Sequence, residues 1–244
     1  MKAIVLAAGF STRLYPLTKH FPKALLPVGN KALIDYMLDD LFQQPEISDI
    51  ALVTNQQYQL LFETWMKTYY PRKTVHMFAN GIHDAKKRMG AIGDILYTLK
   101  KTEWINDDIL ILSSDTLTSM SLSKFIHFFQ SRRGVVNGIY DTKDRSVIKN
   151  RLGCVVMKGD KISEFIEKPK KPKTTLTSIP YYIYSKEALQ LLTTYKNENG
   201  DLDAPGSIMS WFIGKIPVHG YKETGYYYDV GTLDTYNTVA DKQF

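Results

Sequence analysis

The chain of 244 residues is 44% hydrophobic and 23% charged, which predicts one folded domain with a full core and room for a small lobe. It has no apolar run of membrane-spanning length and no signal-peptide pattern, and its single cysteine, Cys154, excludes an internal disulfide. We therefore expect a cytoplasmic protein that binds no membrane. The net charge of +6 favours anionic partners, and the scattered basic residues favour phosphorylated small molecules over nucleic acid.

Apolar runs rich in β-formers alternate with segments of helical periodicity through the first half of the chain. This alternation predicts βαβ units around a parallel sheet. Strands are predicted at residues 3–8, 50–54, 74–79, 109–113 and 135–140. Helices are predicted at residues 32–43, 58–69, 91–100 and 122–131.

The second half of the chain has shorter apolar runs separated by turn residues. Strands are predicted at residues 153–158, 161–166, 179–184 and 215–221, and helices at 188–194, 207–213 and 233–242. The first three of these strands predict a small mixed lobe laid against the main sheet. We expect a single domain of residues 1–244, with a core of about 1–144 and a lobe with the closing helix from about 145 to 244.

The loop after the first predicted strand has the composition of a phosphate-binding turn. Gly9 ends the apolar run, and a small, polar and cationic segment follows it. Such a turn can direct backbone N–H groups at a phosphate, while Arg13 and Lys23 supply positive charge. The loop is neither a Walker A sequence nor Gly-x-Gly-x-x-Gly. A lone glycine turn is as often a plain surface loop, but the prolines and cations clustered between residues 13 and 27 favour binding.

The segments Gly9-Phe-Ser-Thr-Arg-Leu14, Pro16-Leu-Thr18 and Pro22-Lys-Ala-Leu-Leu-Pro-Val28 resemble the signature of the sugar-1-phosphate nucleotidylyltransferases. That family includes glucose-1-phosphate thymidylyltransferase and related NDP-sugar pyrophosphorylases. Ser11 stands where the family usually has glycine. The resemblance implies a Rossmann-like three-layer α/β/α domain with a mainly parallel central sheet and a small mixed β lobe for the sugar. It runs over nearly the whole chain and favours an enzyme with a single activity.

Two aspartates are candidates for a metal site. Asp115 follows the apolar run 109–113, where the end of a parallel strand places a carboxylate beside a bound ligand. From the residues alone, Asp115 is nearly as well explained as a helix cap. Asp229, within Tyr-Tyr-Asp229-Val-Gly-Thr, resembles the family's second metal-binding aspartate. The resemblance implies that Asp115 and Asp229 together bind Mg²⁺.

The Glu167-Lys168-Pro triplet after the predicted strand 161–166 resembles the sugar-side motif of the family. A carboxylate can accept hydrogen bonds from sugar hydroxyls, and a lysine can neutralise a sugar phosphate. The resemblance implies that Gly153 contacts the sugar through its backbone and that Tyr182 closes the pocket. On residue type alone, Tyr182 is more often a core residue, and the lysines of 168–173 form a solvated loop.

Arg88-Met-Gly90-Ala corresponds in position to the family's base-contacting loop, although the usual proline is absent. Gly90 would let a nucleobase lie flat on the backbone. No glutamine precedes the loop, and Asn80 is the nearest amide that could contact a base edge. The identity of the base, dTTP, UTP, CTP or GTP, therefore stays open, as does the sugar.

The resemblance implies attack of a sugar-1-phosphate oxygen on the α-phosphorus of an NTP, giving an NDP-sugar and pyrophosphate. The catalytic residues would be Arg13 on the β,γ-phosphates, Lys23 on the α-phosphate, Lys168 on the attacking phosphate, and Asp115 with the metal. The predicted nucleotide-binding residues are Leu6, Ala8, Gly9, Ser11, Thr12, Asn80 and Gly90.

Two other functions stay open at this point. A cytidylyltransferase acting on a non-sugar phosphate, such as phosphocholine, shares the first signature but usually lacks the Glu-Lys-Pro arrangement. A regulator that binds nucleotide sugars without catalysis would be expected to lose some of Arg13, Lys23, Asp115, Lys168 and Asp229, all of which are present. Whether the protein forms a homo-oligomer also stays open.

Overall fold

The computed structural model describes residues 1–70 and 74–244. Within these residues the strands are β1 (Lys2–Ala7), β2 (Pro27–Val28), β3 (Lys31–Ala32), β4 (Asp49–Thr54), β5 (His76–Ala79), β6 (Ile109–Ser113), β7 (Thr116–Thr118), β8 (Val135–Asp141), β9 (Cys154–Lys158), β10 (Lys161–Ile166), β11 (Leu176–Tyr184), β12 (Val218–Glu223) and β13 (Tyr227–Asp229). The helices are α1 (Leu33–Leu41), α2 (Gln59–Tyr69), α3 (Ala91–Thr102), α4 (Leu122–Arg132), α5 (Arg145–Ile148), α6 (Lys186–Asn197), α7 (Pro205–Phe212) and α8 (Leu233–Val239).

One large sheet runs through the molecule in the order β5-β4-β1-β6-β11-β8-β12-β10-β9. The first four strands are parallel to one another, and β12 is parallel to β8. The other neighbours in this order are antiparallel, with β11 placed between β6 and β8. The sheet is therefore parallel on the side of the N-terminal strands and mixed beyond β6.

Alternate residues of the buried strands feed two separate cores, one on each face of the sheet. Ala3 and Val5 of β1 pack on one face with apolar residues of α1, α2 and α4. Ile4 packs on the opposite face with residues of α3, α6 and α7. Because a strand buried on both faces needs helices above and below it, this arrangement is a three-layer α/β/α fold. The predicted fold class is confirmed.

The elements of the first half occur where the apolar runs predict them, with ends shifted by one or two residues. The prediction for the second half was wrong in one respect. β11 lies at the centre of the main sheet, and β12, β10 and β9 continue that sheet, so they do not form a separate lobe laid against it. The division of the single domain near residue 145 stays a prediction.

Several ends in the second half also differ from the predictions. The predicted strand 215–221 begins only at Val218, after Pro217, which has no N–H for the ladder. The closing helix ends at Val239, three residues before the predicted end. Cys154 is buried in β9 and unpaired. No helix of the described chain is long and apolar enough to cross a membrane.

Candidate active site

A cleft of about 380 Å³ opens at the edge of the sheet where β1 and β6 end. The parallel register brings the residues that follow these two strands side by side, so sites at this edge draw on distant parts of the sequence. Most of the predicted site residues line the cleft: Leu6, Ala8, Gly9, Ser11, Arg13, Lys23, Gly90, Asp115, Gly153, Glu167, Lys168, Tyr182 and Asp229. Thr12 and Asn80 are not among the residues that line it.

The loop after β1 is held in shape by contacts from its own chain and from the start of α2. Ser11 has a left-handed backbone, with φ 50° and ψ 42°, a region that glycine adopts most easily. Its carbonyl accepts a hydrogen bond from Thr18 Oγ1 at 2.8 Å. The Tyr58 hydroxyl in turn donates to the carbonyl of Thr18 at 2.7 Å. Glycine is usual at this position because it adopts the left-handed conformation easily. Ser11 has the same conformation.

Asp115 is held at the end of β6 by a cation and a hydroxyl. Lys23 Nζ lies 2.6 Å from Asp115 Oδ2, and Ser113 Oγ donates to Oδ1 at 2.6 Å. Burial opposes the negative charge, but the charge and hydrogen bond of Lys23 outweigh it, so the pKa of Asp115 is lowered. Lys23 thus contacts the carboxylate directly, beside the place where the sequence predicts the α-phosphate.

A small two-stranded sheet places Asp229 beside Asp115. β13 pairs antiparallel with β7, which places Asp229 opposite Thr116. The N–H of Val230 donates to the carbonyl of Asp115 at 3.0 Å. Burial and then the charge of Asp115 raise the pKa of Asp229, which indicates that the two carboxylates lie close together.

The chemistry of this pair fits a divalent cation such as Mg²⁺. Both side chains supply hard oxygen ligands, and their mutual repulsion is only partly offset by Lys23. Among the residues that the structure describes, no cluster of three or more acidic, histidine or cysteine side chains could hold a metal alone. Mg²⁺ is commonly bound by one or two carboxylates, with phosphate oxygens and water completing its octahedron.

On the opposite side of the cleft, Glu167 is wedged between two glycines. A Cβ on Gly206, in the first turn of α7, would lie 2.0 Å from Glu167 Oε2. A Cβ on Gly153 would lie 2.6 Å from Cζ of Phe165 and 3.5 Å from the same carboxylate oxygen. Burial raises the pKa of Glu167, although Lys168 Nζ lies 3.5 Å from Oε1 and opposes the shift. The two glycines leave the space in which this carboxylate sits.

Tyr182 and Ser178 form the floor of this side of the cleft. Tyr182 is buried, and its hydroxyl is 3.2 Å from Ser178 Oγ. Burial raises the pKa of Tyr182, so the phenol stays neutral at physiological pH. The ring of Tyr182 packs in the core and its edge borders the cleft, so Tyr182 is both a core residue and part of the pocket wall.

Gly90 and the start of α3 lie beneath the loop that precedes α7. Gly90 has φ 76°, and a Cβ on it would lie 2.3 Å from the carbonyl oxygen of Leu202. The N–H of Ala91 donates to the carbonyl of Asp203 at 3.1 Å. Arg88 joins the same two loops through a two-pronged ion pair to Asp203, with both N–O distances 2.8 Å. Glycine is required here by the covering loop, whether or not a base also lies against it.

The amide of Asn80 is already engaged by neighbouring residues. Its Nδ2 donates to Asp94 Oδ1 at 2.8 Å, and its Oδ1 accepts from the N–H of Ile82 at 3.0 Å. Asp94 itself lines the cleft, which the sequence interpretation missed. The signal was present, because an aspartate interrupts the buried face that Ile95 and Leu99 mark on α3.

A second missed residue is Arg151, which precedes the predicted Gly153 by two positions. It lines the cleft and an adjoining cavity of about 290 Å³, together with Arg13, Lys168 and Asp229. Its positive charge lowers the pKa of Asp229, although burial keeps that pKa raised overall. The side chains of Arg151 and Arg13 have no hydrogen-bond or salt-bridge partner within the described part of the chain, so both guanidinium groups are available to anions.

The profile of the family described as "Nucleotidyl transferase" matches residues 2–243 of this sequence. The chain belongs to that family. A Sulfolobus acidocaldarius protein assigned as a mannose-1-phosphate guanyltransferase is 28% identical over 191 residues, which cover 78% of this chain and 50% of that protein. The glucose-1-phosphate adenylyltransferase of Corynebacterium glutamicum is 27% identical over 266 residues, covering 96% of this chain and 64% of that enzyme.

The chain thus spans between one half and two thirds of the length of these two relatives. A solved structure with the same fold is that of a Bacillus anthracis protein assigned as a glucose-1-phosphate thymidylyltransferase. Its TM-score is 0.82 at 22% identity, and the match covers all of this chain and 97% of that one. Similarity at this level of identity shows the fold alone.

Proposed function

We propose that this nucleotidyl transferase joins an NTP and a sugar-1-phosphate to give an NDP-sugar and pyrophosphate. The observation that carries the proposal is the charge arrangement of the cleft. Five cations line it, Arg13, Lys23, Arg88, Arg151 and Lys168, together with the close carboxylate pair of Asp115 and Asp229, and of the five Arg88 is paired with Asp203. Such an arrangement suits two phosphorylated substrates that must be brought together against their mutual repulsion.

The loop after β1 would bind the triphosphate. Its backbone around Gly9 and Ser11 borders the cleft, and the exposed guanidinium of Arg13 would pair with the β- and γ-phosphates. Lys23, held against Asp115, would lie beside the α-phosphate. Thr12 is exposed and outside the cleft wall, so any role for it would come through its backbone.

The other side of the cleft would bind the sugar phosphate. The wedged carboxylate of Glu167 would accept hydrogen bonds from sugar hydroxyls, next to the open backbone of Gly153. Lys168, whose side chain is 55% exposed, would neutralise the sugar phosphate. A sugar offers several hydroxyl donors to a buried acceptor, which is why this carboxylate favours a sugar over a phosphocholine-like substrate.

Asp115 and Asp229 would hold Mg²⁺, which, when bound, would neutralise phosphate charge and polarise the α-phosphate. The residues of the chain orient the reactants for in-line displacement. An oxygen of the sugar phosphate forms a bond to the α-phosphorus while the bond from that phosphorus to the β-phosphate bridging oxygen breaks, and Arg13 stabilises the departing pyrophosphate. The nucleophile is already an anion at neutral pH, so no general base is required.

The test is pyrophosphate release from a matrix of ATP, GTP, CTP, UTP and dTTP against several sugar-1-phosphates and phosphocholine, with Mg²⁺. We expect turnover with at least one sugar-1-phosphate and none with phosphocholine. Arg13→Ala and Asp115→Asn should each lower kcat by about a hundredfold or more, because each removes a charge that contacts the reacting phosphates.

Both variants should still unfold cooperatively: Arg13→Ala removes a side chain that has no hydrogen-bond or salt-bridge partner among the described residues, and Asp115→Asn keeps the shape of the side chain although it loses the charge that pairs with Lys23. A matched control is Arg132→Gln, which removes a cation paired with Asp160 far from the cleft and should leave turnover unchanged. Release of pyrophosphate from CTP and phosphocholine alone would refute the sugar assignment. Wild-type rates in Arg13→Ala or Asp115→Asn would refute the mechanism.

A further inference from the structure

Asp94 is a buried acid in the cleft that the proposed reaction does not use. Its side chain is 8% exposed, and it lies in the first turns of α3, where it lines the cleft with Gly90 and Ala91. An acid so deeply buried in a cleft is unusual unless it is paired.

Only one of the two carboxylate oxygens of Asp94 has a hydrogen-bond partner in the described chain. Oδ1 accepts from Asn80 Nδ2 at 2.8 Å. The orientation of this amide is fixed, because Asn80 Oδ1 accepts from the N–H of Ile82 at 3.0 Å. Among residues 1–70 and 74–244, Oδ2 makes no hydrogen bond, and no cation pairs with the carboxylate. One strong acceptor therefore remains for a ligand in the cleft.

Asp94 lies apart from the phosphate-binding charges. Lys23, Arg13 and Arg151 act on Asp229, and Lys168 acts on Glu167, whereas no charged group perturbs Asp94. The residues that line the cleft on this side include small or apolar ones, Leu6, Ala8 and Ala91, together with Arg88 and Asp203, whose charges are paired with each other, and α3 packs on β1. A wall that offers a free acceptor beside small and apolar residues fits a nucleobase better than it fits a phosphate.

We propose that Asp94 is a specificity-determining residue that favours NTPs whose base carries an exocyclic amino group. This inference rests on the proposed function and names the nucleotide class for that site. The amino groups of adenine, cytosine and guanine can each donate to the free carboxylate oxygen, and in guanine the neighbouring N1–H is a donor as well. Uracil and thymine present one imino N–H between two carbonyl oxygens, and these oxygens repel a carboxylate. Asn80 contributes by fixing the orientation of the carboxylate.

The test compares ATP, GTP, CTP, UTP and dTTP in the wild-type protein and in Asp94→Asn, with one accepted sugar-1-phosphate. We expect the wild type to prefer an amino-bearing base. Asp94→Asn replaces an acceptor with a donor, so kcat/KM for that NTP should fall about tenfold or more, mainly through KM, while relative use of UTP or dTTP rises. Asn80 can keep its hydrogen bond to the amide oxygen of the variant, so the fold should persist.

Asp84→Asn is the matched control. It removes a carboxylate from the loop that precedes α3, outside the cleft, and asparagine retains the capping of the short turn that begins at Ala85. It should leave the NTP preference unchanged. A parallel series measures the thermal shift caused by each NTP without sugar phosphate, so that nucleotide selectivity is assessed even if no sugar is turned over.

Preference of the wild type for UTP or dTTP would overturn the inference. So would an equal loss of all five NTPs in Asp94→Asn, or a rank order of bases that this substitution leaves unchanged. A changed rank order in the thermal shifts with no pyrophosphate release would support the inference while refuting the proposed reaction.

Discussion

At the scale of single residues, the cleft concentrates charges that do not stabilise the folded protein. Asp229 is half-buried beside Asp115, and its pKa is raised by burial and by the charge of Asp115. Asp94 is buried with one hydrogen bond and no cation. Natural proteins retain such groups where binding or catalysis needs them, at some cost in stability.

The pH dependence of stability should reveal the cost of Asp94. Burial raises its pKa to about 6, from an ordinary value of 3.8. Between these values the folded state holds a proton that the unfolded state lacks, so stability from this group increases as pH falls from about 6 to about 4. Above pH 6 the ionised side chain destabilises the protein by about 3 kcal/mol at most, by the conversion of 1.36 kcal/mol for each pKa unit.

Asp94→Asn should therefore be more stable than the wild type at pH 7.5, and the difference should shrink towards zero at pH 4. Urea unfolding of both proteins across this pH range measures the difference in their free energies of unfolding. The control Asp84→Asn should have the same free energy of unfolding as the wild type at each pH. A variant less stable than the wild type at pH 7.5 would show that the carboxylate has a structural partner.

At the scale of secondary-structure elements, α7 positions the sugar side of the cleft. Its first turn contributes Gly206, which packs directly against Glu167 and Phe165 at the end of β10. Ser210, one turn later, donates to the carbonyl of Phe165 at 2.7 Å and fixes the helix to that strand. The position of the Glu167 carboxylate thus depends on how closely α7 approaches β10.

Gly206→Ala should weaken binding of the sugar phosphate selectively. The added Cβ would lie 2.0 Å from Glu167 Oε2 and 2.5 Å from the Phe165 ring, so the carboxylate must move. We expect KM for the sugar-1-phosphate to rise about tenfold, with a stability loss of about 1–3 kcal/mol from overpacking. The KM for the NTP should change little. Initial rates with each substrate varied in turn measure the two constants.

Ser207→Ala is the control for this prediction, since it alters the next residue of α7 without adding an atom near Glu167. The serine hydroxyl bonds only to Asp201, at 2.9 Å. An equal rise in both Michaelis constants in Gly206→Ala would show that the substitution distorts the whole cleft and would contradict the assignment of Glu167 to the sugar.

The local sequence was sufficient to predict elements whose cause is local. The apolar run 109–113 matches β6 residue for residue, because a strand buried on both faces is continuously apolar. The left-handed backbone of Ser11 also agrees with the family pattern of glycine at that position. By contrast, the pairing of Asp115 with Asp229 depends on the register between β7 and β13, which no local pattern encodes.

At the scale of the whole molecule, the two halves of the sequence share one sheet. β11, from the second half, pairs with β6 on one side and β8 on the other, both from the first half. Four consecutive residues, Tyr181 to Tyr184, pair with β6 in register. The order of strands that are far apart in sequence is set by packing, after long loops have closed. The apolar runs therefore indicated where the strands lie in the sequence but not which strands pair with each other.

This shared sheet predicts that residues 1–144 cannot fold alone. The fragment lacks β11, which lies between β6 and β8 in the sheet. The backbone groups of β6 and β8 that pair with β11 would then be unpaired, and apolar surface in the middle of the sheet would be exposed. We expect the fragment to be insoluble, or to show no cooperative thermal transition, whereas the full chain unfolds in a single step.

Co-expression with residues 145–244 should restore soluble, cooperatively folded protein if the two pieces can assemble the sheet. A fragment 1–144 with a cooperative transition and protected amides in β6 would contradict this, because it would show that the first half forms an independent folding unit.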